Sequence, residues 1–338
     1  MKTSDNFSYY QTKFFSEYLP GQRNVSLNTI RSYRDSFVIL IKFFQSNKSI
    51  SPEKLKISTL TRANIESFLL YLETVKHSSI ATRNQRLAAI KSFMKYIQVE
   101  EPEHLYLCQN ILNIRNKKSE KVLIEYLSPS EVQCLLEQPD TTNIKGRRDL
   151  AILSLLYDSA ARVQELCDAK VEDIRLEEPA VIRLYGKGRK KRTVPLSKNC
   201  SAIMRKYMSE NNLDQNGKLS TPLFYSNRNK KLTRSGMSYI LSKYMEFLYE
   251  QELVVRTRKI TPHCLRHSKA MHLVESGVNL IYIRDFLGHE SIETTQIYAR
   301  ANPESVRKAI MQANISDKSP SMPDWNEDPD LLKYLKSL

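Results

Sequence analysis

The chain has 338 residues, about two domains' worth at ~150 residues each, and so can bury one or two sizeable hydrophobic cores. Hydrophobic residues at 41% and charged residues at 26% lie near the globular average, which excludes a disulfide-stapled miniprotein and wholesale disorder. Lys+Arg 52 against Asp+Glu 37 leave a net charge of +15, which repels itself unless a polyanion offsets it. Nucleic acid is therefore the first partner to consider, beside the plainer reading of a merely basic soluble protein.

With only 8 Gly and 13 Pro the sequence disfavours turn-dense sandwiches and barrels, and long helices are the natural filling. The five cysteines, Cys108, Cys134, Cys167, Cys200 and Cys264, are odd in number, widely spaced and never in a CxxC pair. They suggest neither a disulfide framework nor a four-thiolate zinc site, and they fit a reducing compartment. No apolar run approaches ~18 residues, and the opening MKTSDNFSYYQ lacks the apolar core of a secretory leader, so no membrane partner and cytoplasmic residence are expected.

From Phe7 to Ile97 apolar residues recur at helical spacing in four stretches. The first carries Phe7, Tyr10, Phe14 and Tyr18, and the second Ile30, Tyr33, Phe37, Ile41 and Phe44. The third, with Thr61 as N-cap, carries Ile65, Phe68, Leu69 and Leu72, and the fourth Leu87, Ile90, Phe93, Met94 and Ile97. The spacing predicts a four-helix domain over residues 1–100. Arg31, Arg34, Arg83, Arg86 and Lys91 fall on its polar faces, where they either track a phosphate backbone or form a solvated face.

Residues 101–125 lose the period and include NIRNKKSEK, which reads as a basic linker. Ser128, Pro129 and Glu131 then predict a helix start with a capping box, stapled by Leu127 and Val132. An apolar helix is expected from Arg148 to Tyr157, and SAARVQELCDAK opens another. Val171 to Leu176, Ala180 to Tyr185 and Lys191 to Leu196 are short β-prone segments separated by turn residues, which predicts a small antiparallel sheet. Gly186 and Gly188 flank Lys187 at the tip of its second hairpin. Further helices are expected over Pro262 to Ser276, Asn279 to Leu287 and Ile292 to Ala299. Residues 126–312 thus make a second, mixed α/β domain. The remainder, 313–338, ends in the short amphipathic pattern Leu331, Leu332, Leu335 and Leu338, either disordered or docking onto another surface or protomer.

His263, Arg266 and His267 in TPHCLRHSKA stand at i, i+3 and i+4 on the first turn of a helix, where free N–H groups and the dipole suit an anionic phosphate. A zinc reading of HCLRH is poor, because Cys264 holds the glutamate position of an HExxH helix and an arginine beside a dication repels it. Taken singly, Arg162 with Glu165 three residues on is an ordinary surface ion pair. Lys187, Arg189, Lys190, Lys191 and Arg192 are a solvated hairpin or a general phosphate patch, and Tyr298 is one of 18 tyrosines.

Their order and spacing carry more than their sum. ARVQEL, GKGRKKRTVPL, HCLRH and LGHESIETTQIY, ending on Tyr298, together resemble the tyrosine site-specific DNA recombinases, the phage-integrase or Xer-like family. The likeness spans nearly the whole chain. It implies a mainly α fold with a small antiparallel β-sheet: an N-terminal four-helix core-binding, SAM-like domain plus a mixed α/β catalytic domain, clamping duplex DNA. It implies an active-site set of Arg162, Lys187, His263, Arg266 and His289 around the scissile phosphate, with Tyr298 as nucleophile. The arginines would fork the non-bridging oxygens, His289 would hydrogen-bond one of them, and His263 would accept the tyrosine proton. Lys187 would protonate the departing 5′-oxygen, and Glu165 and His267 would support the arginines and the helix. A 3′-phosphotyrosine link keeps the bond energy for religation, so neither ATP nor metal is needed as cofactor.

The resemblance further implies double-stranded DNA with specific sites as partner, a homotetramer on paired sites, and optional accessory recombination proteins. Gln164 departs from the serine or glycine common at that position, outside the charged cluster, and an N-terminal arm-binding module is not evident. An integrase or transposase of a mobile element is the first role to consider. The alternatives are a chromosome or plasmid dimer-resolving Xer-type recombinase, a type IB topoisomerase-like relaxer, and a DNA-binding regulator with an inert pocket. An RNA-binding reading has no aromatic platform to support it.

Overall fold

A computed structural model of the chain describes residues 5–118, 124–186, 190–215, 217–226 and 229–301, together with Lys333, Lys336 and Ser337. Two compact units divide the chain, Met1–Val122 and Leu123–Leu338. Lys187, Arg189 and the leucine pattern expected at the C-terminus lie outside the described residues.

In the first unit, α1 (Phe7–Lys13) is followed by α2 (Leu27–Lys48), α3 (Arg62–Thr74), α4 (Ile80–Glu100) and α5 (Leu105–Leu112). Asn6, Ser26, Thr61 and Ser79 cap the first four, each side-chain oxygen accepting the N–H three residues on. The first apolar stretch is not one regular helix: beyond α1 the chain winds as a π-helix over Phe14–Gln22. That wider i→i+5 winding brings Phe14 and Leu19, five residues apart, onto the same buried face, whereas Tyr18 is only partly covered. Phe7, Phe14, Phe37 and Phe93 then meet in mostly tilted and edge-to-face pairs at the centre of the bundle.

The segment expected as a basic linker begins inside this unit. α5 buries Cys108 and Ile111 in the same core as α4, with Cys108 Sγ 4.0 Å from Met94 Sδ, and Ile114 closes the packing. Two buried side chains three residues apart suffice to dock an eight-residue helix, a signal masked in the sequence by Pro102 before it and the lysines after it.

The second unit opens as expected, with Ser128 Oγ accepting the Glu131 N–H and Glu131 Oε2 accepting the Ser128 N–H at the start of α6 (Pro129–Glu137). Its main core is built on α7 (Ile144–Asp158), buried on nearly all sides at Ala151–Leu156, against α9 (Lys198–Glu210) and α10 (Arg234–Glu250). Between α8 (Val163–Asp168) and α9 lies the three-stranded antiparallel sheet: β1 (Ile174–Arg175), β2 (Val181–Tyr185) and β3 (Lys191–Pro195), in that order. Ile182 pairs with Val194 and Leu184 with Arg192, so the apolar side chains of that pairing face the core. The first strand is shorter than the sequence suggests, because Asp173 Oδ2 accepts the Lys170 N–H and turns Val171–Asp173 into a 3₁₀ turn.

α11 (Pro262–Glu275), α12 (Leu280–Leu287) and α13 (Glu293–Ala301) complete the unit. They enclose a small second core of Ala160, Ala270, Met271, Val274, Ile283, Leu287 and Tyr298. That core fixes the ends of the elements that carry the charged motifs. Among the described residues, no helix is long and apolar enough to cross a membrane.

Candidate active site

Arg162 sits at the N-cap of α8, where Glu165 at the third helical position reaches back to accept its backbone N–H at 2.8 Å. Glu165 also accepts from Arg162 Nη1 at 2.7 Å and from Arg192 Nη1 and Nη2 at 2.9 and 2.7 Å. Burial pushes this carboxyl up, but the hydrogen bonds and charges of Arg192 and Arg162 outweigh it and hold the pKa at about 2. Arg162 Nη2 lies 3.3 Å from the Gly288 carbonyl and keeps an exposed edge.

Arg266, 1% exposed, is the largest fully buried side chain among the described residues. Its Nη1 donates to the Ala160 carbonyl at 2.7 Å and its Nη2 to the Leu287 carbonyl at 2.6 Å. Ala160 presents that carbonyl from a left-handed turn, φ 45°, between α7 and α8. Burial, and then Arg162 and Arg192, lower the Arg266 pKa to about 10, so it stays cationic at neutral pH.

Tyr298 on α13 is also 1% exposed, and burial raises its pKa. Its hydroxyl lies 2.8 Å from His267 Nδ1. Here the structure differs from the sequence reading, which gave the phenol to His263 and a supporting role to His267. One turn of α11 separates the two histidines. Their rings touch edge-on at 4.4 Å, and His267 is the one aimed inward at α13, while His263 keeps an exposed face. His289, just past the Gly288 cap of α12, lies parallel to the Tyr298 ring at 6.5 Å, its Nδ1 3.0 Å from Thr295 Oγ1. Thr295, fully buried, has no signal in the sequence; its role depends on a contact six residues away.

The three histidines are held neutral. Partial burial lowers all three first; the arginines add to it at His263 and His289, and His263 and then Arg266 add to it at His267, which like His289 is brought to about 4. For a histidine lowered in the fold, the unfolded chain binds more protons between about pH 4 and 6.5. Stability of the second unit should therefore fall as pH drops through 6.5 and lose nothing more from these groups below about 4. Glu165 then takes over, its contribution being lost between about 4.5 and 2. Urea unfolding across pH 2–8 checks both windows; His267→Gln/His289→Gln should flatten the upper one, and an unchanged slope there would contradict it.

Arg162, Gly186, Lys190, Lys191, Gly288 and His289 line an open cavity of about 650 Å³, with Arg284 on its wall. The other expected cations divide. Arg31 and Arg34 are exposed, the latter paired with Asp35, and Lys190 pairs with Glu290 at 3.0 Å on the surface. Arg86 bonds Ser78 Oγ. Three are turned inward, correcting the expectation of free phosphate contacts. Arg83 is buried 3.2 Å from Glu73, Lys91 donates to the Ile114 carbonyl beyond α5, and Arg192 is occupied by Glu165 and the Phe286 carbonyl. Among the described residues no group of three or more His, Cys, Asp or Glu could hold a metal ion.

Two arginines, neutral histidines and a tyrosine converge beside a cationic cavity, an arrangement that can neutralise an anionic phosphate and take a proton from a tyrosine hydroxyl. Residues 125–305 match the phage integrase family and residues 13–101 the phage integrase N-terminal SAM-like domain. The chain is 35% identical, over 96% of both lengths, to a protein of Sinorhizobium fredii named as the integrase/recombinase y4rC. It is 32% identical to the tyrosine recombinase XerC of Syntrophus aciditrophicus over 85% of this chain and 91% of that one. In fold it is similar to the Tn1549 transposon integrase solved with transposon right end DNA, at 17% identity, TM-score 0.68, and coverage of 90% and 98%. The chain belongs to the phage integrase family and is a tyrosine recombinase, an enzyme of DNA strand breakage and rejoining.

Proposed function

We propose that the protein binds specific sites on double-stranded DNA and exchanges strands between paired sites as a homotetramer, serving the integration or transposition of a mobile element. The observation that carries the chemistry is the 2.8 Å contact between the Tyr298 hydroxyl and a neutral His267, beside two guanidinium groups. Arg162 and Arg266 neutralise the non-bridging oxygens of the scissile phosphate and the extra charge of its transition state. In the tautomer whose Nδ1 accepts from Thr295 Oγ1, His289 carries its proton on Nε2, where it can donate a hydrogen bond to a phosphate oxygen. The phenol transfers its proton to the histidine pair, His267 first and His263 beside it, as its oxygen forms the bond to phosphorus. The bond from phosphorus to the 5′-oxygen breaks, and Lys187 protonates that oxygen. Because Tyr298 is buried in the free protein, DNA binding must draw it toward the cavity.

The strong identity to a relative named as an integrase/recombinase supports the mobile-element role. Similarity to XerC proteins supports a second reading, resolution of chromosome or plasmid dimers. Nicked duplexes carrying either the ends of the host element or a chromosomal dimer-resolution site, incubated with the protein in EDTA, separate the two. A covalent protein–DNA band on the element ends alone is the expected result. A band only on the resolution site gives the second role, and binding without a band on either returns the inert regulator.

A further inference from the structure

Arg192 stands in the basic hairpin motif and on the cavity lining, yet its side chain is only 10% exposed and each of its three nitrogens makes an internal hydrogen bond. Nη1 and Nη2 grip the two oxygens of Glu165, and Nε donates to the Phe286 carbonyl at 3.0 Å. Its methylene stem lies flat on Gly288: a methyl there would sit 2.9 Å from Arg192 Cδ and 3.2 Å from Nη1. The glycine before His289 thus leaves space for this side chain, besides holding φ at +64° to end α12. One guanidinium so joins β3, the start of α8 that carries Arg162, and the end of α12 that carries His289.

The geometry at Glu165 shows what the joint does. Each carboxylate oxygen takes one bond from Arg192 and one from Arg162, Oε1 from the two Nη1 groups, Oε2 from Arg192 Nη2 and the Arg162 backbone. A buried carboxylate facing a single arginine would take its fork in both oxygens, the preferred bidentate geometry. Arg192 occupies those positions first, so Glu165 holds the Arg162 guanidinium by one nitrogen and leaves Nη2 turned to the Gly288 carbonyl at the cavity. Such a balance is worth more around a buried carboxylate, 4% exposed, than it would be in water.

We infer that Arg192 is a positioning residue for strand cleavage: by sharing Glu165 it keeps one edge of the Arg162 guanidinium open to the scissile phosphate and sets the loop that presents His289. The inference rests on the cleavage reading above. Wild-type protein forming the covalent complex on a nicked half-site in EDTA establishes that reading, and its failure there is a failure of the reading itself, seen before any Arg192 variant is used.

Single-turnover cleavage at saturating half-site DNA, with binding measured separately across salt concentration, tests the role. Arg192→Ala should cleave on the order of 10²-fold more slowly, with Kd within about threefold of wild type and the salt slope unchanged. Arg192→Ala/Glu165→Gln should cleave faster than Arg192→Ala alone, because a neutral amide no longer captures Arg162; a merely structural loss gives no such recovery. Arg192→Lys, which keeps the charge and the stem but not the fork, should also be slowed, and it carries the test if the alanine variant melts early. Wild-type cleavage by Arg192→Lys, or a double variant no faster than Arg192→Ala, overturns the inference. So does weaker binding, a salt slope reduced by about one and an unchanged saturating rate, which would make Arg192 a phosphate contact.

Discussion

Tyr298→Phe should abolish the covalent DNA complex altogether while half-site binding and the melting of the second unit stay close to wild type. The ring is 1% exposed and packs with Met271, Ile283 and Leu287, and phenylalanine keeps all of that apolar contact. What is lost is one hydrogen bond to His267, worth about 0.5–1.5 kcal/mol net, against complete removal of the oxygen proposed to attack. The separation of effects is diagnostic, since few buried side chains can be changed with so large a catalytic and so small a structural consequence. Tyr282 on α12, 71% exposed, is the natural control. Tyr282→Phe should leave the covalent band intact, and persistence of the band in Tyr298→Phe would move the nucleophile elsewhere.

Much of the site was legible because its parts are local. Pro262 fixes the start of α11, so His263, Arg266 and His267 fall on one turn, and Glu165 follows Arg162 by the three residues that a capping contact needs. What could not be read depends on contacts between elements. Nothing in HCLRH says which histidine faces α13, and helix phase against Tyr298 decides it for His267. Arg192 alternates along β3 with exposed neighbours, and only the pairing of Leu184 with Arg192 and the approach of α8 and α12 reveal that it points inward. The same holds in the first unit, where Arg83 and Lys91 share a helix with exposed polar residues but meet Glu73 and the Ile114 carbonyl. α5 was missed for a related reason, as two buried residues leave too short a period to see.

Arg266→Lys should lower the saturating cleavage rate by about 10²–10³-fold, and its residual activity should fall further as pH rises above neutral. The guanidinium spans the Ala160 and Leu287 carbonyls, and an ammonium cannot hold both and still fork a phosphate. A buried carbonyl left without its donor costs about 1–3 kcal/mol, so the variant should also melt earlier, and Arg266→Ala earlier still. The pH dependence follows from the electrostatics of the site. Burial and the charges of Arg162 and Arg192 already pull the arginine down to about 10, which it tolerates because a guanidinium starts from a far higher value. A lysine starts near ~10.4, and the same burial and repulsion bring it close to the pH of the assay. Protonated at low pH and neutral as pH rises, it supports the transition state only on the acid side. A wild-type pH profile in Arg266→Lys would mean that the site does not select arginine for its resistance to deprotonation, and a wild-type rate would mean that charge alone suffices at this position.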